Sequence, residues 1–153
     1  LYLILYTLGT LGVFSFIMIL RRDDKQLVNI GDVSGLSKTN PAIAASMVVL
    51  LLSMAGIPPL AGFFAKLNLF IAIIEQEYYY LALIGVVFSV ISAFYYLKII
   101  KVMYLEDVSE GVNLVLDKKM TFSIIFLALI MLLFIFYANT VITFMTGLDF
   151  FII

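Results

Sequence analysis

The chain has 153 residues, of which 65% are hydrophobic and only 12% charged, with a net charge of −1 and a mean hydropathy of +1.20. Soluble domains average about 45–50% apolar and about 25% charged, so both departures point to lipid as the solvent. Without Cys or His, the chain supplies no thiolate for an iron–sulfur cluster, no histidine for haem and no usual zinc site; without a basic tract, nucleic-acid binding has no support.

The first apolar region, Leu1 to Leu20, is uncharged and has about the 20 residues that cross a bilayer. It lacks a basic n-region and an A-x-A-like site, so it reads as a span and not as a signal peptide. Gly9 and Gly12, with Thr7 and Thr10, are expected to allow close helix packing. A polar loop follows from Asp23 to Asn40. At its end Pro41 suits a first helical turn and Asn40 a helix cap.

The second region, Pro41 to Ile74, contains one charge, Lys66. Its middle reads Ala55-Gly56-Ile57-Pro58-Pro59-Leu60-Ala61-Gly62. Two prolines remove two amide donors and disfavour helix in the residues before them, so the helix must break there. Each half is then about 14–16 residues, or roughly 21–24 Å long, too short alone for a core of about 30 Å. Two half-helices in series would cross once; the rival geometry is a re-entrant hairpin.

The third region runs from Tyr78 to Leu105, with Lys98 and Lys101 near its end, and the fourth from Met120 to Thr146. If the second region crosses once, the first and third loops share a side. That side then holds Arg21, Arg22, Lys25, Lys38, Lys98, Lys101, Lys118 and Lys119, and the other side holds no Lys or Arg. This is a strong positive-inside pattern, whereas a hairpin would split the same residues evenly. The expected fold is therefore all-α and polytopic, a single membrane domain over 1–153. It has four transmembrane helices (1–20, 41–75, 78–105, 120–146), the second interrupted at Pro58-Pro59.

Lys66 carries the strongest chemical signal. An ammonium at mid-membrane costs several kcal/mol by cautious scales (about 2.5–3.5) and more by others, and the neutral amine escapes that cost. A lysine that gains and loses a proton inside a bilayer is a relay element. The competing readings are snorkelling and a static partner for an acid on another subunit. The break itself bares backbone groups, which is tolerated only against protein or water; in transporters such breaks mark ion sites, and the bland alternative is a proline kink. Gly56 and Gly62 flank it.

On the third helix, Ser89, Ser92 and Tyr96 fall at i, i+3 and i+7, on one face. They suit a water file or interhelical hydrogen bonds. Lys98 and Lys101 suit snorkelling at the basic-side end, and Lys98 also suits the mouth of a polar path. Glu75 and Glu77 lie in the turn on the basic-poor side, as solvated caps or exit groups.

The run Ser53-Met54-Ala55-Gly56-Ile57-Pro58-Pro59-Leu60-Ala61-Gly62-Phe63-Phe64-Ala65-Lys66 resembles the "LSLAGIPPLAGFxxK" signature of the antiporter-like subunits of respiratory complex I. Tyr2 to Phe16 resembles the family's "Y…LG.F" helix. Gly31 to Leu36 with Asn40 to Ala44 resembles its "DLxGLxxxxPxxA" loop, and Ser89 to Lys98 its "SxxSAxYYLR" helix. The motifs cover about residues 1 to 105; the remainder agrees by hydropathy.

In that family each subunit has fourteen helices in two inverted half-channels, and this chain resembles helices eleven to fourteen. The broken twelfth helix carries one ionisable residue, here Lys66; lysine at this position favours the subunit 2 branch over subunit 4, which has glutamate, while subunit 5 also has lysine but usually in a different local sequence.

The resemblance implies a membrane-arm subunit of proton-translocating NADH–ubiquinone oxidoreductase that contributes part of a half-channel. It implies no cofactor in this chain, while the complex uses NADH, FMN, iron–sulfur clusters and ubiquinone. Implied partners are the other membrane-arm subunits, a chain supplying the missing N-terminal helices, and lipid. The implied location is the mitochondrial inner membrane, or alternatively the bacterial plasma membrane. The rival functions are a multisubunit cation/proton antiporter and a purely structural membrane-arm piece.

Overall fold

A computed structural model describes the backbone of residues 1–22, 25–26, 29–108, 113–114 and 118–148, and the side chains of residues 1–20, 29–108 and 118–137. Its helices are α1 (Tyr2–Ile19), the short α2 (Leu36–Thr39), α3 (Pro41–Ala55), α4 (Ala61–Glu75), α5 (Tyr79–Leu105) and α6 (Lys118–Leu148). Three of them, α1, α5 and the Lys118–Tyr137 part of α6, are long and apolar enough to cross a membrane. The expected interrupted helix is the pair α3 and α4, each of 15 residues.

Pro41 opens α3 at its first turn, as its fixed φ and missing amide favour. Asn40 occupies the cap position, but its side chain makes no cap bond. Instead its N–H closes α2 on the Leu36 carbonyl (2.8 Å) and its carbonyl accepts the Ala44 N–H (3.0 Å).

α3 is the centre of the packing, in contact with α1, α4, α5 and α6. Met47, Leu50 and Leu51 are buried on it. In lipid this burial gains little from water exclusion and works through close contact. Gly9 and Gly12 allow that contact, because a Cβ at Gly12 would lie 2.7 Å from Leu50 Cδ1 and one at Gly9 3.2 Å from Met54 Cγ. Thr7 and Thr10 do not bridge helices; they donate to the Leu3 and Tyr6 carbonyls of their own helix (2.7 and 2.8 Å). α6 joins through Ile124, Ala128, Met131 and Phe134, spaced three and four apart on one face.

α5 differs. Of its 27 residues only Ala82, Val102 and Met103 are buried. It lies antiparallel to α4 after a tight turn, in which Glu77 adopts a left-handed conformation (φ 62°) and the Glu77 and Tyr78 amides bond the Ile74 and Ile73 carbonyls. Glu75 and Glu77 are exposed there.

The loops at the opposite end meet one another. The short strand β1 (Leu20–Arg22) pairs antiparallel with β2 (Lys25–Gln26) and with β3 (Asn113–Leu114). Lys38 forms an exposed ion pair with Asp107 at 3.0 Å, and the Gly35 N–H reaches the Val102 carbonyl (3.3 Å). The loop after α1 and the loop after α5 therefore share one end of the bundle. The side chains of Arg21, Arg22 and Lys25 lie outside the described residues.

Candidate functional site

The site is built on the gap between α3 and α4. Gly56 ends α3 in the left-handed conformation (φ +85°), which a glycine adopts without a Cβ penalty. Its N–H reaches the Leu52 and Ser53 carbonyls (3.1 and 2.9 Å), and the Ile57 N–H also reaches Leu52 (3.1 Å). This closure satisfies earlier carbonyls of the last turn and leaves that of Ala55 without a helical partner. Pro58 and Pro59, joined by a cis peptide bond, carry the chain across to Leu60, and α4 begins at Ala61.

Lys66 lies in the second turn of α4 and folds back across the gap. Its Nζ donates to the Ala55 carbonyl at 3.2 Å. The alkyl chain passes over Gly56, where a Cβ would stand 3.0 Å from Lys66 Cδ. The C-terminal end of a helix carries partial negative charge, equivalent to about half an electron, and favours a cation. The broken helix thus provides the ammonium with a counter-charge made of backbone.

The opposite face of the gap is held by Ser53, whose Oγ accepts the Gly62 N–H at 3.0 Å. A side chain on Gly62 is impossible there, since its Cβ would fall 1.8 Å from the Ser53 carbonyl oxygen. Each glycine that flanks the prolines therefore has its own reason: Gly56 for backbone sign and the lysine's path, Gly62 for helix approach.

Lys66 borders a small pocket of about 20 Å³ beside Ser53 and Gly62 and two larger clefts. One, of about 250 Å³, is lined by Tyr2 and Tyr6 of α1, by Lys66, and by Ser89, Ser92 and Tyr96 of α5, among apolar neighbours. The other, of about 260 Å³, runs past Gly56, Lys66 and Ser89. At about 30 Å³ per water, either volume takes several waters. Ser92 Oγ donates to the Phe88 carbonyl (2.8 Å) and keeps acceptor capacity for a second partner.

Of the sequence-derived candidates, Lys66, Ser89, Ser92 and Tyr96 come together at this cleft, with Gly56, Pro58, Pro59 and Gly62 forming the break beside it. Lys98 does not join them: it is exposed and lines none of the clefts around Lys66. Lys101 is also exposed. Three participants escaped the sequence reading. Tyr2 and Tyr6 stack with ring centroids 5.8 Å apart and form the α1 wall; their i, i+4 spacing in an otherwise apolar helix was the available signal. Ser53 was visible only as a letter of the motif.

Comparison with known proteins agrees with this architecture. Residues 1–92 match the family model described as NADH:quinone oxidoreductase/Mrp antiporter, transmembrane. The chain is 47% identical over 139 residues to NADH-quinone oxidoreductase subunit N of Pelagibacter ubique (strain HTCC1062), an alignment covering 88% of this chain and 29% of the relative. It is 51% identical over 108 residues to subunit N 1 of Rhizobium meliloti (strain 1021), covering 70% of this chain and 22% of the relative. The chain thus spans less than a third of the length of these relatives. Its fold is similar to part of a chain in respiratory complex I from Thermus thermophilus with bound aureothin, with a TM-score of 0.76 at 21% identity, covering 88% of this chain and 32% of that one. With the broken helix and its lysine in place and the match extending over more than half of its length, the chain belongs to the NADH:quinone oxidoreductase/Mrp antiporter transmembrane family.

Proposed function

We propose that this chain forms the C-terminal part of an antiporter-like membrane-arm subunit of proton-translocating NADH–quinone oxidoreductase, of the subunit 2 kind, and that Lys66 is a relay group in its half-channel. The observation that carries this reading is the lysine bridging the helix break: its Nζ rests on the Ala55 carbonyl at 3.2 Å and borders a cleft walled by Ser89, Ser92, Tyr96, Tyr2 and Tyr6. An amine in that position has hydroxyls and room for water on one side and a backbone acceptor on the other. Protonated, it holds the carbonyl; having passed its proton to water in the cleft, it no longer favours that contact. Ser89, Ser92 and Tyr96 form the polar wall of the path; Lys98, exposed farther toward the basic end of α5, lies outside it.

The topology proposed is four crossings, with α3 and α4 together making one. Pairing of the loop after α1 with the loop after α5 supports this, since a re-entrant hairpin would put those loops on opposite sides. The basic loops then face the cytoplasm or the matrix. These residues include no Cys or His to hold iron–sulfur clusters, so in this reading that electron transfer belongs to other chains. The remaining helices of the family fold, in the same polypeptide or another, complete the channel alongside the other membrane-arm subunits. The subunit N relatives are bacterial, which supports the plasma membrane as the site of action more directly than the mitochondrial inner membrane.

The test is Lys66→Ala in the assembled, membrane-embedded enzyme. NADH oxidation and assembly should persist, while protons moved per NADH fall. Unchanged proton stoichiometry in an assembled variant would sink the role. The family model also covers Mrp antiporters. Sodium-dependent transport in membranes where the chain migrates apart from NADH dehydrogenase activity on native gels would select that function instead.

A further inference from the structure

We propose that Ser53 is a positioning residue for proton transfer at Lys66, setting where the amine comes to rest; the proposal rests on the relay reading of Lys66. Ser53 is 2% exposed. Its Oγ accepts the Gly62 N–H at 3.0 Å and donates toward Met131 Sδ at 3.6 Å. One hydroxyl therefore joins α3, α4 and α6.

Its leverage comes from the linker. Pro58 and Pro59 offer no amide hydrogens, and the linker's backbone bonds are short-range: Ile57 N–H to Leu52 (3.1 Å), Leu60 N–H to Ile57 (3.2 Å) and Phe63 N–H to Leu60 (3.1 Å). The angle at which α4 leaves the break depends on ties from its first turn to α3, and the Ser53–Gly62 bond is such a tie. Gly62 and Lys66 are four residues apart and share a face of α4. A shift of α4 at Gly62 is carried directly to the base of the lysine side chain. The Lys66–Ala55 contact is already 3.2 Å long, so a displacement of about one ångström removes it as a hydrogen bond.

Ser53 thus works through Lys66 and does not itself exchange the proton. Its hydroxyl stays engaged at both ends, while the amine between Ala55 and the cleft is the group free to change partners.

The experiment is a double-mutant cycle in the intact enzyme, reading protons translocated per NADH beside NADH oxidation and assembly. S53A removes only the oxygen. It is expected to assemble, to oxidise NADH, and to lower the proton stoichiometry to the level of K66A. The S53A/K66A double variant should be no worse than K66A alone, because both changes act on one event. S53T, which keeps the hydroxyl, should restore the wild-type ratio. Wild-type stoichiometry in S53A, a double variant worse than K66A, or S53T as poor as S53A would each overturn the proposal. Failure of S53A to assemble would make Ser53 a folding residue and overturn it equally. Wild-type stoichiometry in K66A, by contrast, overturns the underlying reading of Lys66, which no result at Ser53 alone can do.

Discussion

Lys66 and Lys98 make an instructive pair. Both sit in strongly apolar helices, and by hydropathy alone neither belongs there. Lys98 lies in an unbroken stretch of α5, where the backbone carbonyls are occupied by amides one turn on, and its side chain is exposed. Lys66 lies just past a break, bonds the Ala55 carbonyl and runs over a glycine that leaves it room. What holds a lysine inside such a bundle is a carbonyl left free by a neighbouring helix end.

Three substitutions test that contrast, beyond those already described. The largest effect is expected from Gly62→Ala. Its Cβ would fall 1.8 Å from the Ser53 carbonyl oxygen, so α4 must move bodily away. A cost of about 4–5 kcal/mol places it among exceptional core lesions. The chain should fail to accumulate in the assembled complex on native gels. Normal assembly of this variant would mean that α3 and α4 do not touch as described.

Gly56→Ala is intermediate. A left-handed residue with a side chain costs about 1–2 kcal/mol, and the new methyl lies 3.0 Å from Lys66 Cδ, the flexible part of the side chain. The complex should assemble with reduced thermal stability and lowered proton stoichiometry, by less than in Lys66→Ala. Wild-type stoichiometry would show that the lysine does not need this path over Gly56.

Lys98→Met should have the smallest effect. Stability should change by no more than about 0.5 kcal/mol, as for a surface substitution, and pumping should fall less than in Lys66→Ala. A Lys98→Met complex as impaired as Lys66→Ala would erase the distinction between the two lysines.

Much of this architecture was legible in the residues. Uninterrupted apolar runs place the long helices almost to the residue, because in lipid a helix ends where the chain turns polar or meets proline. Pro58 and Pro59 announce the break, and the lone charge at Lys66 marks the position beside it as a candidate site. What remained hidden depends on contacts between distant segments. That Ser53 caps a helix starting eight residues later requires the gap geometry itself. Which face of α5 meets α4 cannot be read from a helix apolar all round, so the convergence of Ser89, Ser92 and Tyr96 on Lys66 emerges only from packing, as does the absence of Lys98. Asn40 shows the opposite error: a favoured capping residue at the right position whose side chain is not used.

The carbonyl beneath Lys66 has a further consequence, in the arithmetic of charge. The ion pair Lys38–Asp107 lies at the bundle end; Lys66 rests instead on a peptide carbonyl. A carboxylate partner can itself take up a proton, so such a pair shares its titration between two groups. A peptide carbonyl cannot. The resting contact therefore has one ionisable member, so in the proposed relay it would carry a single proton and be electrically neutral without it.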